Sequence, residues 1–249
     1  MALASDAGRR QPHPNERIWY KERMRTALAG FVIGALFLAA SLAAEQARWS
    51  DDFSGPKLDG WYLPLPADWS QVDSGGSGVL RLHKGEPIGN PRRPVKFALF
   101  EPGCVSDFEV EARMRRFGRS LLIAFGFQDR AHFYYAHVSS DDGNVSVHNG
   151  IFKVDGGERF RIGGEGSAPA LPTADWHRIR VVREAASGKI EVYADDDPKP
   201  RFAVVDDSFR YGWVGLGSFN ETGEFDDFKL RGVRSKECRS EHISPLDAP

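Results

Sequence analysis

Apolar and polar residues alternate most clearly in residues 107–114. Every second side chain there is apolar, starting at Phe108, and the residues between them are acidic or basic. This pattern predicts a strand with one face in a core and the other in solvent. Residues 121–127 are apolar throughout, which is typical of a central strand covered on both faces. After residue 44 no amphipathic helix is evident, so we predict an all-β fold.

Further strand-length runs are rich in Val, Ile, Tyr, Phe or Trp, and clusters of Gly, Pro or Asp separate them. The Asp-Asp-Gly-Asn run at 141–144 predicts a hairpin turn. Five prolines between residues 60 and 95 predict loop with short edge strands. The predicted strands are 107–114, 121–127, 132–139, 145–148, 176–183, 189–194, 212–219 and 225–233.

The amino-terminal region has the pattern of an export signal. Residues 27–44 are uncharged and follow three basic residues between 21 and 25. Small side chains at 41–43 favour cleavage before Ala44. Because Met24 begins a full signal peptide, we interpret residues 1–23 as an over-extended reading frame. A retained anchor at 27–44 is the alternative. The predicted division is a signal region at 1–43, one sandwich domain at 44–233 and a polar tail at 234–249.

Composition narrows the choice of partners. The formal net charge is −2, and residues 1–44 carry more basic than acidic side chains, so the remainder is more acidic than the whole chain. This balance argues against nucleic acid and against an anionic membrane surface after signal cleavage. Aromatic residues make up 12% of the chain and there are 26 glycines, which suits a sheet-rich fold with tight turns. We expect an exported protein, periplasmic or extracellular.

Several motifs together resemble the concanavalin A-like lectin/glucanase superfamily, including its laminin-G-type sandwiches. Asp-Asp-Phe-Ser-Gly at 51–55, with Trp61 after it, resembles the opening of these domains. The hairpin at 128–138 and the closing strands from Trp176 to Leu230 follow in the same order. The resemblance implies a two-sheet antiparallel jelly-roll sandwich whose concave sheet binds carbohydrate.

Catalysis receives less support from the sequence. Family 16 glycanases of this superfamily carry two carboxylates in a Glu-x-Asp-x-x-Glu strand, which is absent here. Glu109 and Glu111 come nearest, and we interpret them as a solvated outer face. Similarity to 3-keto-disaccharide hydrolase-type domains is distant, because their characteristic strand motifs are absent. His137, His148 and His177 lie on different predicted strands, so spacing alone does not unite them.

We therefore predict a lectin-like recognition domain that binds a glycan or sugar derivative. A periplasmic glycoside hydrolase or lyase acting on a (3-keto-)disaccharide is one alternative, and a structural or adhesion sandwich is another. Sugar recognition needs aromatic platforms with polar groups around them. Candidate ligand-binding residues are Phe127, Arg130, Tyr135, His137, Asn149 and Trp213.

The resemblance also implies a structural calcium ion. In this superfamily an Asp that begins the final strand often ligates Ca²⁺, together with groups near the amino-terminal strand. Asp227 stands at that position in Asp-Phe-Lys-Leu, and Asp52 is placed to approach it. Hard oxygen ligands suit Ca²⁺, so we predict a possible site there.

A disulfide between Cys104 and Cys238 is the last prediction. They are the chain's two cysteines, and the predicted compartment is oxidising. In sandwiches of this type the last strand runs antiparallel beside the strand equivalent to 107–114. This arrangement brings the start of one strand near the end of the other.

Overall fold

A computed structural model of the protein describes residues 46–239. Within that range the chain forms fourteen strands and one short 3-10 turn, Pro66–Asp68. The strands are β1 (Gln46–Asp51), β2 (Trp61–Tyr62), β3 (Trp69–Asp73), β4 (Gly78–Leu82), β5 (Lys96–Arg116), β6 (Ser120–Asp129), β7 (His132–Ser139), β8 (Gly150–Asp155), β9 (Arg159–Gly163), β10 (His177–Glu184), β11 (Lys189–Ala194), β12 (Phe202–Val205), β13 (Gly212–Ser218) and β14 (Gly223–Arg234).

Strand β5 belongs to two layers. Its residues 96–100 pair with β13, whereas residues 105–116 pair with β14 and, over 108–114, also with β10. The front sheet has the order β2–β5–β13–β6–β7–β8–β9. The back sheet has the order β12–β11–β10–β5–β14, and β14 pairs further with β1 and with β4, which pairs with β3. Every pairing between these strands is antiparallel, and the predicted two-sheet sandwich is confirmed.

The core between the sheets follows from alternation along the strands. Val110, Ala112 and Met114 of β5 are completely buried, and they share one cluster with Ile123 of β6 and Tyr134 of β7. Removing this much apolar surface from water is the main stabilising contribution to such a fold.

A second apolar cluster covers the outer surface of the front sheet. It contains Phe97, Leu99, Cys104, Leu122, Ala124, Phe127, Phe133, Tyr135, Phe152, Val154 and Trp213. Successive side chains of β7 alternate between the clusters, with Phe133 and Tyr135 in this one and Tyr134 and Ala136 between the sheets. The front sheet is therefore buried on both faces.

Most predicted strands are confirmed, and one is wrong. The prediction 132–139 matches β7, and β5 contains 107–114 but begins earlier, at Lys96. Residues 145–148 form turns instead of a strand, and Val145 and Val147 are 39% and 43% exposed. The amides of Val145 and His148 donate to the carbonyls of Asp142 and Val145 within these turns, and NH1 of Arg161 donates to the carbonyls of Gly143, Val145 and His148.

The predicted disulfide is confirmed. Cys104 and Cys238 are bonded, with Cα atoms 6.1 Å apart. Arg234 near the end of β14 pairs with Val105, and the amide of Ser235 donates to the carbonyl of Cys104 at 3.0 Å. The antiparallel β5–β14 ladder therefore brings the two cysteines together, and the bond fixes the tail to β5.

The predicted signal region at 1–43, the start at Met24, the alternative anchor at 27–44 and the tail beyond residue 239 lie outside the described residues. In the part that is described, no helix is long and apolar enough to cross a membrane.

Candidate functional site

The predicted aromatic residues lie on the outer surface of the front sheet. Phe127, Phe133 and Tyr135 are each at most 1% exposed. Phe127 stacks on Phe133 with ring centroids 5.0 Å apart, and Tyr135 stacks on Phe152 at 5.2 Å. We call these four rings and Phe97 the aromatic floor. Of these rings, Phe127 and Tyr135 are predicted ligand-binding residues, and other groups cover the floor. Their binding role stays a prediction.

Arg159, the first residue of β9, lies over this floor. Its NH1 donates to the hydroxyl of Tyr135 at 3.2 Å and to the carbonyl of Val147 at 3.0 Å. Its guanidinium carbon is 5.0 Å from the ring centroid of Phe152 and 4.2 Å from that of Phe219. Cations are attracted to the faces of aromatic rings, so these contacts hold the guanidinium in position.

A second guanidinium lies on the same ring. Arg92 is exposed, and its guanidinium carbon is 5.4 Å from the centroid of Phe219. The backbone amide of Arg159 donates to the carbonyl of Arg92 at 3.2 Å, which attaches the loop before β5 to β9. Phe219 itself is 3% exposed. Two positive charges therefore flank one buried ring.

Two more arginines increase the positive charge on this surface. Burial lowers the pKa of Arg93 and neighbouring Arg130 lowers it further, while Asp129 acts in the opposite direction. The predicted residue Arg130 is half-buried at the turn between β6 and β7. Arg161 uses its guanidinium to hold the 143–148 loop. We call Arg92, Arg93, Arg159 and Arg161 the arginine layer.

Within residues 46–239, no carboxylate lies within salt-bridge distance of any member of the arginine layer. The positive charge of the arginine layer affects Tyr135 in the aromatic floor. Burial raises the pKa of the Tyr135 hydroxyl, and Arg159 and Arg92 both oppose that rise because they stabilise the phenolate.

His137 is buried beside the floor. Its Nε2 lies 2.9 Å from the Ser120 hydroxyl, and its Nδ1 has no hydrogen-bond partner. Burial lowers the pKa of His137 well below its usual range, and Arg159 and His148 lower it further, while the backbone of Val147 has a smaller, opposing effect. The imidazole is therefore neutral at ordinary pH.

The structure unites two histidines that the sequence left apart. The rings of His137 and His148 have centroids 5.4 Å apart, and Nδ1 of His148 contacts the carboxylate of Asp141. His177 lies elsewhere, at the start of β10, where its Nδ1 is 2.9 Å from Asp195. The His148–Asp141 contact spans the loop that was predicted as a strand, which is why spacing did not indicate it.

These groups do not form an accessible catalytic centre as they stand. Ser120 and His137 are each 1% exposed, and a nucleophile must reach its substrate. Glu109 and Glu111 lie on the back sheet, away from the aromatic floor, with side chains that are 25% exposed. Each contacts two cationic side chains, in agreement with the predicted solvated face.

The remaining predicted ligand-binding residues have structural partners. The side-chain oxygen of Asn149 accepts from the amides of Ser139 and Ala170, and its nitrogen donates to the carbonyl of Ala168 at 2.8 Å. Its φ of 49° lies in the left-handed region, which Asn tolerates better than most residues. These bonds connect β7, β8 and the loop after β9.

Trp213 lies in the second apolar cluster, which also contains the disulfide. It is 4% exposed, and its indole nitrogen donates to the carbonyl of Glu101 at 3.1 Å. The binding roles of Trp213 and Asn149 stay predictions.

The predicted calcium ligand Asp227 lies in β14, and Asp52 directly follows β1, which pairs with β14. Asp227 is 3.3 Å from Arg113, and neighbouring Asp226 is 3.6 Å from the same guanidinium. Burial raises the pKa of Asp226, and the charges of Asp227 and Asp52 raise it further. Carboxylate oxygens suit a hard cation chemically, but the guanidinium of Arg113 already lies beside Asp226 and Asp227. The described residues contain no preformed cluster of three or more ligating side chains.

Sequence reasoning missed Arg92, Arg159 and Phe219. A signal for the first two was present, because Arg159 and Arg161 alternate around Phe160 and Arg92 and Arg93 stand between two prolines. Alternation places Arg159 and Arg161 on one face of a strand. Nothing local connects Phe219 to either segment.

The described residues share their fold with solved structures to which they have little sequence identity. One similar structure is the carbohydrate binding module CBM66 from Bacillus subtilis, with a TM-score of 0.50 and 18% identity over 68% of this chain and 94% of that one. Another is the GH43 protein BlXynB from Bacillus licheniformis, with a TM-score of 0.54 and 15% identity over 74% of this chain. This match covers only 39% of the GH43 protein. No protein-family model and no curated protein matches the sequence.

Proposed function

We propose that the protein is an exported carbohydrate-recognition module without catalytic activity, which binds a glycan on the outer surface of the front sheet. The arginine layer over the aromatic floor is the observation that carries this proposal. Guanidinium groups donate several hydrogen bonds in fixed directions, which suits the hydroxyl and acidic groups of sugars.

Two further observations support the proposal. The matched structure from Bacillus subtilis is a carbohydrate binding module, and nearly all of that module is covered. The disulfide between Cys104 and Cys238 is compatible with an oxidising compartment such as the periplasm or the extracellular space.

A glycan array with the purified full chain tests recognition. Val147 is 43% exposed and its carbonyl binds Arg159, so Val147→Trp places a bulky side chain beside the proposed surface. Val205, on the edge strand β12 of the back sheet, is 72% exposed and provides the matched control Val205→Trp. We expect Val147→Trp to abolish binding and Val205→Trp to preserve it. Equal binding by both variants would place the site elsewhere.

A hydrolase is the competing function, because His137, Ser120, His148 and Asp141 are potential acid–base groups in one region. Incubation of the purified protein with disaccharides and their 3-keto derivatives decides between the two functions. We expect no turnover. Product formation that His148→Gln abolishes would replace recognition with catalysis.

A further inference from the structure

We infer that the glycan is acidic, and that Arg92 and Arg159 bind the carboxylate or sulfate group of one of its sugars. The inference rests on the proposed function and adds the class of ligand. The two guanidinium carbons lie 5.4 and 4.2 Å from the centroid of the same Phe219 ring, and the backbone amide of Arg159 donates to the carbonyl of Arg92 at 3.2 Å, so the two residues are neighbours.

Both groups keep donors for a ligand. Arg159 uses only NH1 in its hydrogen bonds within residues 46–239, so Nε and NH2 have donors left. The guanidinium of exposed Arg92 makes no hydrogen bond to any described residue, and the ring of Phe219 supports it from below. A planar guanidinium with two donors on one side matches the two oxygens of a carboxylate or a sulfate.

Several arginines of the back sheet, unlike the arginine layer, have carboxylate partners among residues 46–239. Arg178, Arg180 and Arg231 each lie within 3.3 Å of a carboxylate oxygen. A protein with a formal net charge of −2 thus has Arg92, Arg159 and Arg161 on its front sheet with no carboxylate of the described residues within salt-bridge distance. Neighbouring positive charges of this kind attract an anion and offset the cost of its desolvation on binding.

An array that pairs acidic glycans with their neutral forms tests the inference. Each uronate oligosaccharide is printed beside its methyl ester and each sulfated one beside its desulfated form. We expect the acidic member to bind at least about tenfold more tightly, a difference of about 1.4 kcal/mol. The uronate and sulfate arms identify which anion is recognised.

Arg92→Gln is the informative variant, because its guanidinium makes no hydrogen bond within the described residues whose loss would disturb the fold. Arg178→Gln is the matched control, since it removes the same charge from a 45% exposed side chain on the back sheet. We expect Arg92→Gln to remove the preference for acidic forms and Arg178→Gln to keep it.

The outcomes separate this inference from the proposed function. If neutral forms bind as well as acidic ones, the acidic ligand is wrong and glycan recognition survives. If both variants lose the preference equally, the ligand is acidic but its assignment to Arg92 and Arg159 is wrong. If the unmodified protein binds no glycan on the array, both the acidic ligand and glycan recognition are wrong.

Discussion

The charged side chains on the outer surfaces of the two sheets have different partners. On the back sheet, Glu109 lies between Arg180 and Arg231, and Glu111 lies between Arg178 and Lys229. On the front sheet, the arginine layer lies over stacked aromatic rings and has no carboxylate partner among residues 46–239. The charges of Glu109 and Glu111 are paired within the fold, whereas those of the arginine layer are balanced by solvent ions or by a ligand.

Strand β5 contributes to both surfaces, so the difference does not come from separate domains. Its residues 96–100 include Phe97 of the aromatic floor. Its residues 105–116 include Glu109 and Glu111, which form ion pairs on the back sheet. Buried aromatic rings give rigidity that does not depend on salt, while exposed ion pairs contribute little and are screened. The proposed binding surface therefore differs from the back sheet in its missing carboxylate partners, not in the number of its charges.

Loss of the disulfide is expected to have the largest effect. Cys104 and Cys238 are 134 positions apart, and closing so long a loop is worth about 5 kcal/mol in the entropy model. The double variant Cys104→Ser, Cys238→Ser should lose about that much unfolding free energy in urea titration. Alkylation of both cysteines in the native, unreduced protein would show instead that no bond forms.

Removal of one ring from the aromatic floor should cause the second-largest loss of unfolding free energy. Phe133 is completely buried between Phe97, Phe127 and Tyr135. Phe133→Ala removes a buried ring and leaves a cavity, so we expect a loss of about 4 kcal/mol. Chemical denaturation measures it. A loss below about 1 kcal/mol would mean that the floor is loosely packed and that the contrast between the two surfaces is weaker than described.

A calcium ion bound at Asp52 and Asp227 would be a cationic ligand of the back sheet, whereas the ligand proposed for the front sheet is an anion. Calcium at about a hundred times its dissociation constant should stabilise the protein by about 2.7 kcal/mol, because it binds only the folded state. Thermal melting with calcium or with a chelator measures the shift, and Asp227→Asn should remove it. Identical melting curves in calcium and in chelator would show that Asp52 and Asp227 hold no structural ion.

Removal of one charge from the back sheet should have the smallest effect. Glu109→Gln breaks the contacts with Arg180 and Arg231, at 3.3 and 2.8 Å, but these pairs are partly exposed. We expect a loss below about 1 kcal/mol that decreases further in high salt. Urea titration at two salt concentrations checks it. A loss above about 2 kcal/mol would show that these ion pairs are a major source of stability.

The sequence predicted the fold better than the site. Alternation in 107–114 identified a strand and its inward face, because one side chain in two must be apolar when one face is buried. The aromatic run at 132–139 identified a second strand. The disulfide followed from strand order and compartment. The 145–148 prediction was wrong because these residues form turns of their own, in which the amide of His148 donates to the carbonyl of Val145.

Long-range contacts explain what was missed at the site. Tyr135 and Phe127 were identified from local pattern, but their coverage by Arg159 depends on a strand that follows much later in the chain. Phe219 joins Arg92 to Arg159 from a third segment. Cation–ring contacts between distant segments have no periodic signature, so pattern analysis does not detect them.

The position of the disulfide also determines how the domain responds to mechanical load. Gln46 of β1 lies opposite Val233 of β14, so tension applied at residue 46 and at the end of β14 would separate that ladder one pair at a time. Tension applied to the tail beyond Cys238 instead passes through the covalent bond to Cys104 and into β5, the strand common to both sheets. A pull on the tail therefore reaches β5 through the disulfide as well as β14 through the backbone, and the load is divided between two neighbouring strands.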